Sequence, residues 1–353
     1  MTPIRVGIIG MQVDRSWGAI AHVPALRALP EYEISAVSTT RRESADAAAA
    51  HYKIPRAFVG HEALVTSPDV DLVTVTVKVP AHLELVSAAI AAGKHVFCEW
   101  PLGNGLAEAE QMAALARSAG VKTAIGLQAH VSPTISYVRD LVKDGRIGDI
   151  LSSVLIGRSL TWGSRVQAPN AYTADRANGA TMLSIPVGHT LDAVCSVLGE
   201  LQQVTGVLAQ GRTETVIEET GETIPMTAHD QIGLVARTEN GVVLTTLYYG
   251  GTQPGTGLLW EIYGSSGTLR VSGEFGHMQI ADLKLEGALG ERTSLAPLDV
   301  PERYFHTELR QGPPLNVAEL YHRFAKDLHE GTNSCPDFDH AVIRHKMLEA
   351  IAD

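Results

Sequence analysis

Between residues 4 and 125, short apolar runs alternate with helical periods. Residues 4–9 read as a buried strand, 20–29 as a helix, 33–38 as a strand, 43–51 as an alanine-rich helix and 70–77 as a β-branched strand. Residues 82–92 then take helical spacing and stop at Gly93, 94–98 return to a strand, 106–118 form a helix stopped by Gly120, and 123–127 begin another strand. This rhythm, with its short connections, predicts a doubly wound parallel sheet over residues 1–125.

Beyond residue 128 the pattern changes. Residues 136–143 and 189–198 are amphipathic helices, but 203–208, 230–237, 241–249, 258–263, 268–272 and 277–285 read as strands with no helix between them. Asn240-Gly241 and Ser266-Gly267 supply hairpin turns. Residues 126–353 are therefore expected to form an α+β domain around a large, mainly antiparallel sheet. The closing helices, 317–330 and 339–352, are free to pack back on the first domain.

Composition narrows the function classes. The chain has 353 residues, 45% of them apolar and 19% charged, which is ordinary for a folded protein. Its 28 basic against 39 acidic residues give a formal charge of −11, with no basic stripe, so direct nucleic-acid binding is not expected. Three scattered cysteines suggest neither a disulfide framework nor a metal site and fit a reducing cytoplasm. No signal-peptide pattern or membrane-length apolar run is present.

The chemistry starts after the first strand. Gly7 and Gly10 are followed by Met11, Gln12 and, later, Trp17-Gly18. A strand, glycines and a helix form the arrangement that places backbone N–H groups against a pyrophosphate, although Gln12 stands where a second loop glycine belongs and a plain turn also explains the pair. The second strand ends in Ser38-Thr39-Thr40-Arg41-Arg42, without the acid that bonds the 2′-hydroxyl of NAD. Hydroxyls and Arg41 there favour NADP over NAD.

Two further stretches, Val77-Lys78-Val79-Pro80-Ala81-His82 and Ala91-Ala92-Gly93-Lys94-His95-Val96-Phe97-Cys98-Glu99-Trp100-Pro101-Leu102, resemble the third and fourth strand ends of the glucose-fructose oxidoreductase, inositol dehydrogenase and MocA family. Gly145 to Asp149, Gly188-His189-Thr190-Leu191-Asp192 and Glu261 to Leu269 extend the resemblance along the chain. It implies a Rossmann domain binding the dinucleotide through Val77, Val79, His82, Glu99, Trp100 and Pro101 as well as the glycine loop. It also implies hydride transfer on a sugar, polyol or related molecule in a cleft between domains, and a homodimer or homotetramer formed through the outer face of the antiparallel sheet.

In that family a lysine follows the glutamate of the E-K-P motif, and an aspartate precedes the histidine by four residues. Here Trp100 replaces the lysine, and Ile185, with Ser184 before it, stands ahead of His189. Tryptophan cannot exchange a proton near neutrality, but it offers a stacking face to a sugar ring or a nicotinamide. His189 and Lys78 are the remaining candidates for catalysis. Trp100, Trp162, Tyr172 and His189 are candidates for substrate contact, with Asp175, Arg158 and His130 as further groups near the domain junction. Glu99-Trp100, Trp17-Gly18, Gly188-His189-Thr190 and Trp162-Gly163 also resemble the branch of the family that includes the galactose-regulon repressor of yeasts. That resemblance implies an alternative, a weakly active or inactive dinucleotide-binding regulator with a protein partner.

Overall fold

The computed structural model describes residues 2–352. The chain divides into two units: one runs to Gln128 and takes in Phe305–His345, and the other comprises Ala129–Tyr304 and the residues from Lys346 onward.

The first unit is built on six parallel strands: β1 (Ile4–Ile9), β2 (Tyr32–Thr39), β3 (Arg56–Val59), β4 (Leu72–Val75), β5 (His95–Glu99) and β6 (Thr123–Gly126). Their order is β3-β2-β1-β4-β5-β6, so the sheet reverses direction of growth between β1 and β4. Ligands of doubly wound sheets sit beyond the strand carboxyl ends at such a reversal. The connecting helices are α1 (Val23–Arg27), α2 (Arg42–Tyr52), α3 (Glu62–Val65), α4 (His82–Ala91) and α5 (Leu106–Ala119). In α5 the buried residues Ala109, Met112, Ala113 and Ala116 form one helical stripe, and Gly120, at φ 65°, closes the end that any other residue would strain. The helix expected over 20–29 is split. A π-helical turn, Gly18–His22, comes first and α1 follows from Val23.

The second unit holds α6 (Pro133–Lys143) and α7 (Gly188–Leu198) against an eight-stranded sheet. Chain order runs β7 (Ile150–Ser159), β8 (Arg165–Val166), β9 (Leu201–Ala209), β10 (Glu214–Ile217), β11 (Thr223–Pro225), β12 (Gln231–Thr238), β13 (Val243–Gly250), β14 (Leu258–Gly264), β15 (Gly267–Gly273), β16 (Lys284–Leu289) and β17 (Ala296–Pro297). The large sheet has the order β17-β16-β15-β14-β7-β13-β12-β9, and β8, β10 and β11 form a separate small sheet. Every pairing in the large sheet is antiparallel except β7 with β13. The strand expected over 277–285 is displaced: His277 lies outside any strand and β16 begins at Lys284.

The central strand β7 escaped the sequence reading because its buried face carries Ser153, Leu155, Gly157 and Ser159, which do not alternate as apolar residues. Each polar group there is used. Ser153 donates to the Glu261 carbonyl and accepts from Trp260 Nε1, Ser159 meets His277 Nε2 at 2.9 Å, and Gly157 lies beneath the Tyr248 ring.

Two long helices close the chain, α8 (Pro313–Glu330) and α9 (Phe338–Ala352). α8 packs on the π turn, α1 and β6, all within the first unit, and the division between units falls inside α9. Among the described residues no helix is long and apolar enough to cross a membrane.

Candidate functional site

The glycine turn sits at the reversal point of the first sheet. Gly10 leaves β1 at φ 98°, and its N–H donates to the Ser38 carbonyl at 3.0 Å. A Cβ on Gly10 would lie 2.4 Å from Val77 Cγ1, so glycine is required both by conformation and by the close approach of the β4 end. Gly7 is different. It lies inside β1 beneath Leu64 and Val70, where its missing side chain admits α3. Past Gly10, Met11 is buried, a Gln12 to Ser16 turn closes on the Ser16 hydroxyl, and Trp17 Nε1 is a buried donor without a partner among the described residues. The cradle that a Cβ would fill and the indole N–H fit an anionic ligand at this turn.

At the end of β2, Ser38 is buried and donates to the Gly60 carbonyl. Thr39 Oγ1 meets Ser44 Oγ at 2.7 Å, while Thr40 and Arg41 are exposed, Arg41 as the residue that opens α2. Arg42 is engaged by Asp46 and the Ala57 carbonyl.

The ends of β4 and β5 are adjacent, and His82 ties them together. Its Nδ1 faces the carbonyls of Pro101 and Leu102 at 2.9 and 3.2 Å, and its Nε2 faces that of Val77 at 3.0 Å. With the ring buried and burial lowering its pKa, His82 braces the two loops. Val79 is buried beside it, and Lys78 is exposed at the start of a short 3-10 turn.

Glu99 closes β5 and faces a buried polar chain that sequence reasoning missed. Its Oε1 lies 2.8 Å from His22 Nε2, and Gln128 Nε2 donates to both carboxylate oxygens at 3.0 and 2.9 Å. His22 Nδ1 meets the Tyr321 hydroxyl of α8 at 2.8 Å, which in turn meets Thr74 Oγ1 at 2.9 Å. Trp100 and Pro101 follow through a cis peptide bond, and Trp100 is only 5% exposed, with its ring 4.8 Å from that of His345. Among the described residues the indole is thus a packed group of the first unit.

In the second unit the segment before His189 is a π-helical turn, Leu183–Val187, whose hydrogen bonds run to the fifth residue back, as from Val187 N–H to the Met182 carbonyl. Ser184 Oγ donates to the Gly179 carbonyl at 2.6 Å. His189 is buried and its Nδ1 has no hydrogen-bond partner among the described residues. Desolvation and the neighbouring His277 lower its pKa to about 3, and burial lowers that of His277 to about 4. One turn further along α7, Asp192 Oδ2 meets His130 Nδ1 at 3.1 Å. The spacing of His189 and Asp192 was visible in the sequence, but the contact of Asp192 with His130 was not.

The other expected substrate contacts are engaged within the second unit. Trp162, at φ 58°, is buried in the apolar core of the second unit with its Nε1 donating to the Thr173 carbonyl, so it has no face to offer. Tyr172 is half-buried and burial raises its pKa. Asp175 accepts from the Ala177 N–H and the Thr227 hydroxyl, and Arg158 donates to the carbonyls of Gln253 and Glu274.

Comparison with known proteins agrees with this fold. Residues 4–127 match the oxidoreductase family with an NAD-binding Rossmann fold, and residues 133–273 match the C-terminal domain of Gal80p. The chain is 34% identical to the dehydrogenase aclE of Aspergillus oryzae over 76% of this chain and 77% of that protein. It is 27% identical to the galactose/lactose metabolism regulatory protein GAL80 of Saccharomyces cerevisiae, over 99% of this chain and 92% of that one. The crystal structure of a super-repressor mutant of Gal80p from Saccharomyces cerevisiae superimposes with a TM-score of 0.89 at 24% identity, covering 99% of this chain and 95% of that one. A reversing parallel sheet with its glycine turn in one unit, a large mixed sheet in the other, and relatives of both kinds lead to one assignment: the chain belongs to the Gfo/Idh/MocA oxidoreductase family, in which it is similar both to dehydrogenases and to Gal80-type regulators.

Proposed function

We propose that the chain is a dinucleotide-dependent oxidoreductase that moves hydride to or from a sugar, polyol or related small molecule, with NADP preferred over NAD. The carrying observation is the turn at Gly10, with its positive φ, its lack of room for a Cβ, and the unpartnered Trp17 indole N–H nearby. When bound, the nicotinamide supplies or accepts the hydride, and the protein's residues orient the substrate and manage its proton. The preference for NADP rests on the β2 end, where Thr39, Thr40 and the exposed Arg41 are found and no carboxylate follows until Glu43. Similarity to the dehydrogenase aclE supports turnover.

A second reading, a dinucleotide-binding regulator, draws on similarity to GAL80 and on Trp100, buried where a proton-transferring lysine is expected. Titrating the purified chain with NADPH and NADH, then following the reduced-nicotinamide absorbance with a panel of sugars, polyols and inositols, separates the two. Tight NADPH binding without turnover on any alcohol or carbonyl compound removes the enzyme reading. A gain of turnover in Trp100→Lys supports the replacement of a needed lysine, and unchanged or lower turnover rejects it.

The assembly we favour is a homo-oligomer through the outer face of the large sheet. Val207, Gly233, Leu247 and Ile156 form one cross-strand row there, and Val207, Val235, Val243 and Leu247 are exposed. Light scattering of Val207→Glu/Leu247→Glu is expected to show monomers.

A further inference from the structure

The loop that leaves Gly10 carries Gln12 in place of a second glycine, and its next glycine comes only at Gly18. It is nonetheless ordered. Gln12 and Ser16 close its base: the Gln12 N–H donates to Ser16 Oγ at 2.8 Å, and the Ser16 hydroxyl and N–H donate to the Gln12 carbonyl at 3.0 and 3.3 Å. Between them Asp14 takes φ 55°, a left-handed conformation that a residue with a side chain adopts only at a cost. Asp14 is fixed from outside the loop. Its N–H donates to the Tyr52 hydroxyl oxygen at 3.0 Å, and that hydroxyl donates in turn to Asp14 Oδ1 at 3.1 Å. His51 Nε2 lies 3.5 Å from the same carboxylate oxygen.

Tyr52 is itself held in place. It is the last residue of α2 and is buried, and its carbonyl accepts from Arg27, the last residue of α1, whose guanidinium also lies 5.9 Å from the centre of the Tyr52 ring. The His51 ring meets it edge-on, with 4.6 Å between ring centres. All of these residues belong to the first unit. A loop that is loose before binding loses conformational entropy when it closes on a ligand, and each residue fixed in advance removes part of that cost. The carboxylate matters as well. Asp14 is a largely exposed acid on a loop that fits an anion, and its contacts with Tyr52 and His51 keep it at the end of α2.

We propose that Tyr52 is a positioning residue for dinucleotide binding: its two bonds to Asp14 order the loop between Gly10 and Trp17 before the ligand arrives, so that the loop meets the pyrophosphate already in shape. The proposal rests on the dinucleotide-binding reading above, which the enzyme and the regulator share. Its effect is on affinity, and it falls on the part of the molecule that NADPH and NADH have in common.

The test is fluorescence titration of the full chain with NADPH and with NADH. Tyr52→Phe keeps the ring against Arg27 and His51 and deletes the hydroxyl. It is expected to weaken both dinucleotides about tenfold, as for loss of one or two hydrogen bonds, with the ratio of their affinities kept. Asp14→Ala is expected to weaken both to a similar extent. Asp14→Asn is expected to restore most of that affinity, because its amide oxygen still accepts from the Tyr52 hydroxyl and asparagine tolerates the left-handed conformation. Should Tyr52→Phe fail to fold by circular dichroism, the two Asp14 variants carry the test. Parental affinity in Tyr52→Phe, weakening of NADPH alone, or an Asp14→Asn variant as weak as Asp14→Ala overturns the proposal and leaves dinucleotide binding intact. A parent chain that binds neither dinucleotide overturns both.

Discussion

His22 Nε2 lies 2.8 Å from Glu99 Oε1, joining the π turn after the glycine loop to the strand end that precedes Trp100. The same imidazole meets the Tyr321 hydroxyl through Nδ1, so α8 is tied into the carboxyl end of the parallel sheet through polar groups. His22 and Tyr321 are fully buried, and every hydroxyl or ring nitrogen in this chain that lacks a partner there incurs a desolvation cost.

Tyr321→Phe tests that connection. It removes one hydroxyl from both His22 and Thr74 and is expected to cost about 1–3 kcal/mol, read as a lower midpoint of guanidinium unfolding. An unaltered midpoint means that the hydroxyl does not hold the helix to the sheet.

Gly157→Ala tests the packing of the central strand. A Cβ at this position would lie 2.1 Å from the Tyr248 ring, whose hydroxyl is fixed on Thr190 at 2.8 Å. The ring cannot withdraw freely, and a loss of about 1–3 kcal/mol is expected for the overpacked core. Equal thermal stability of the variant and the parent would contradict the close approach.

The buried histidines set an acid limit. His277, with a folded-state pKa of about 4, and His189, at about 3, are neutral in the fold, whereas a histidine in the unfolded chain takes up a proton near pH 6.5. Above pH 6.5 both states are neutral and stability is at its full value. As pH falls from 6.5 towards 4 the unfolded state binds protons that the fold refuses, and stability declines, by up to about 3 kcal/mol for His277 alone. The Tm is expected to fall between pH 7 and 5, with a shallower slope in His277→Gln. A slope that the substitution does not change rules out His277 as a source.

Arg41 is expected to discriminate between cofactors. Arg41→Ser removes the exposed cation at the end of β2 and should weaken NADPH by about tenfold or more, as for loss of a charge-assisted hydrogen bond, with little change for NADH. Fluorescence titration with both dinucleotides provides the comparison, and parallel weakening of the two would remove Arg41 from the 2′-phosphate site.

How far these features could be read in advance varied with their physical origin. The inner parallel strands β1 and β4 are largely apolar because both faces are covered, and they show in sequence, whereas β3, half exposed at the sheet edge, does not. β7 does not show itself, since its inward positions hold serines and a glycine that make sense only opposite Trp260, His277 and Tyr248. The π turns at Gly18–His22 and Leu183–Val187 leave no compositional mark either, because one extra residue in a turn changes spacing and not polarity.

Local order along the chain was sufficient for the βαβ rhythm, the glycine turn, the missing acid after β2 and the substitution at Trp100, since each depends on neighbouring residues. The partners of His22, His82, His130 and Trp162 were settled by folding alone. Whether a polar or aromatic side chain meets solvent, a carboxylate or a carbonyl depends on residues far away in sequence: Tyr321 for His22, Asp192 for His130. No local pattern encodes such a meeting, and burial together with hydrogen-bond satisfaction is what assigns those side chains to bracing or packing.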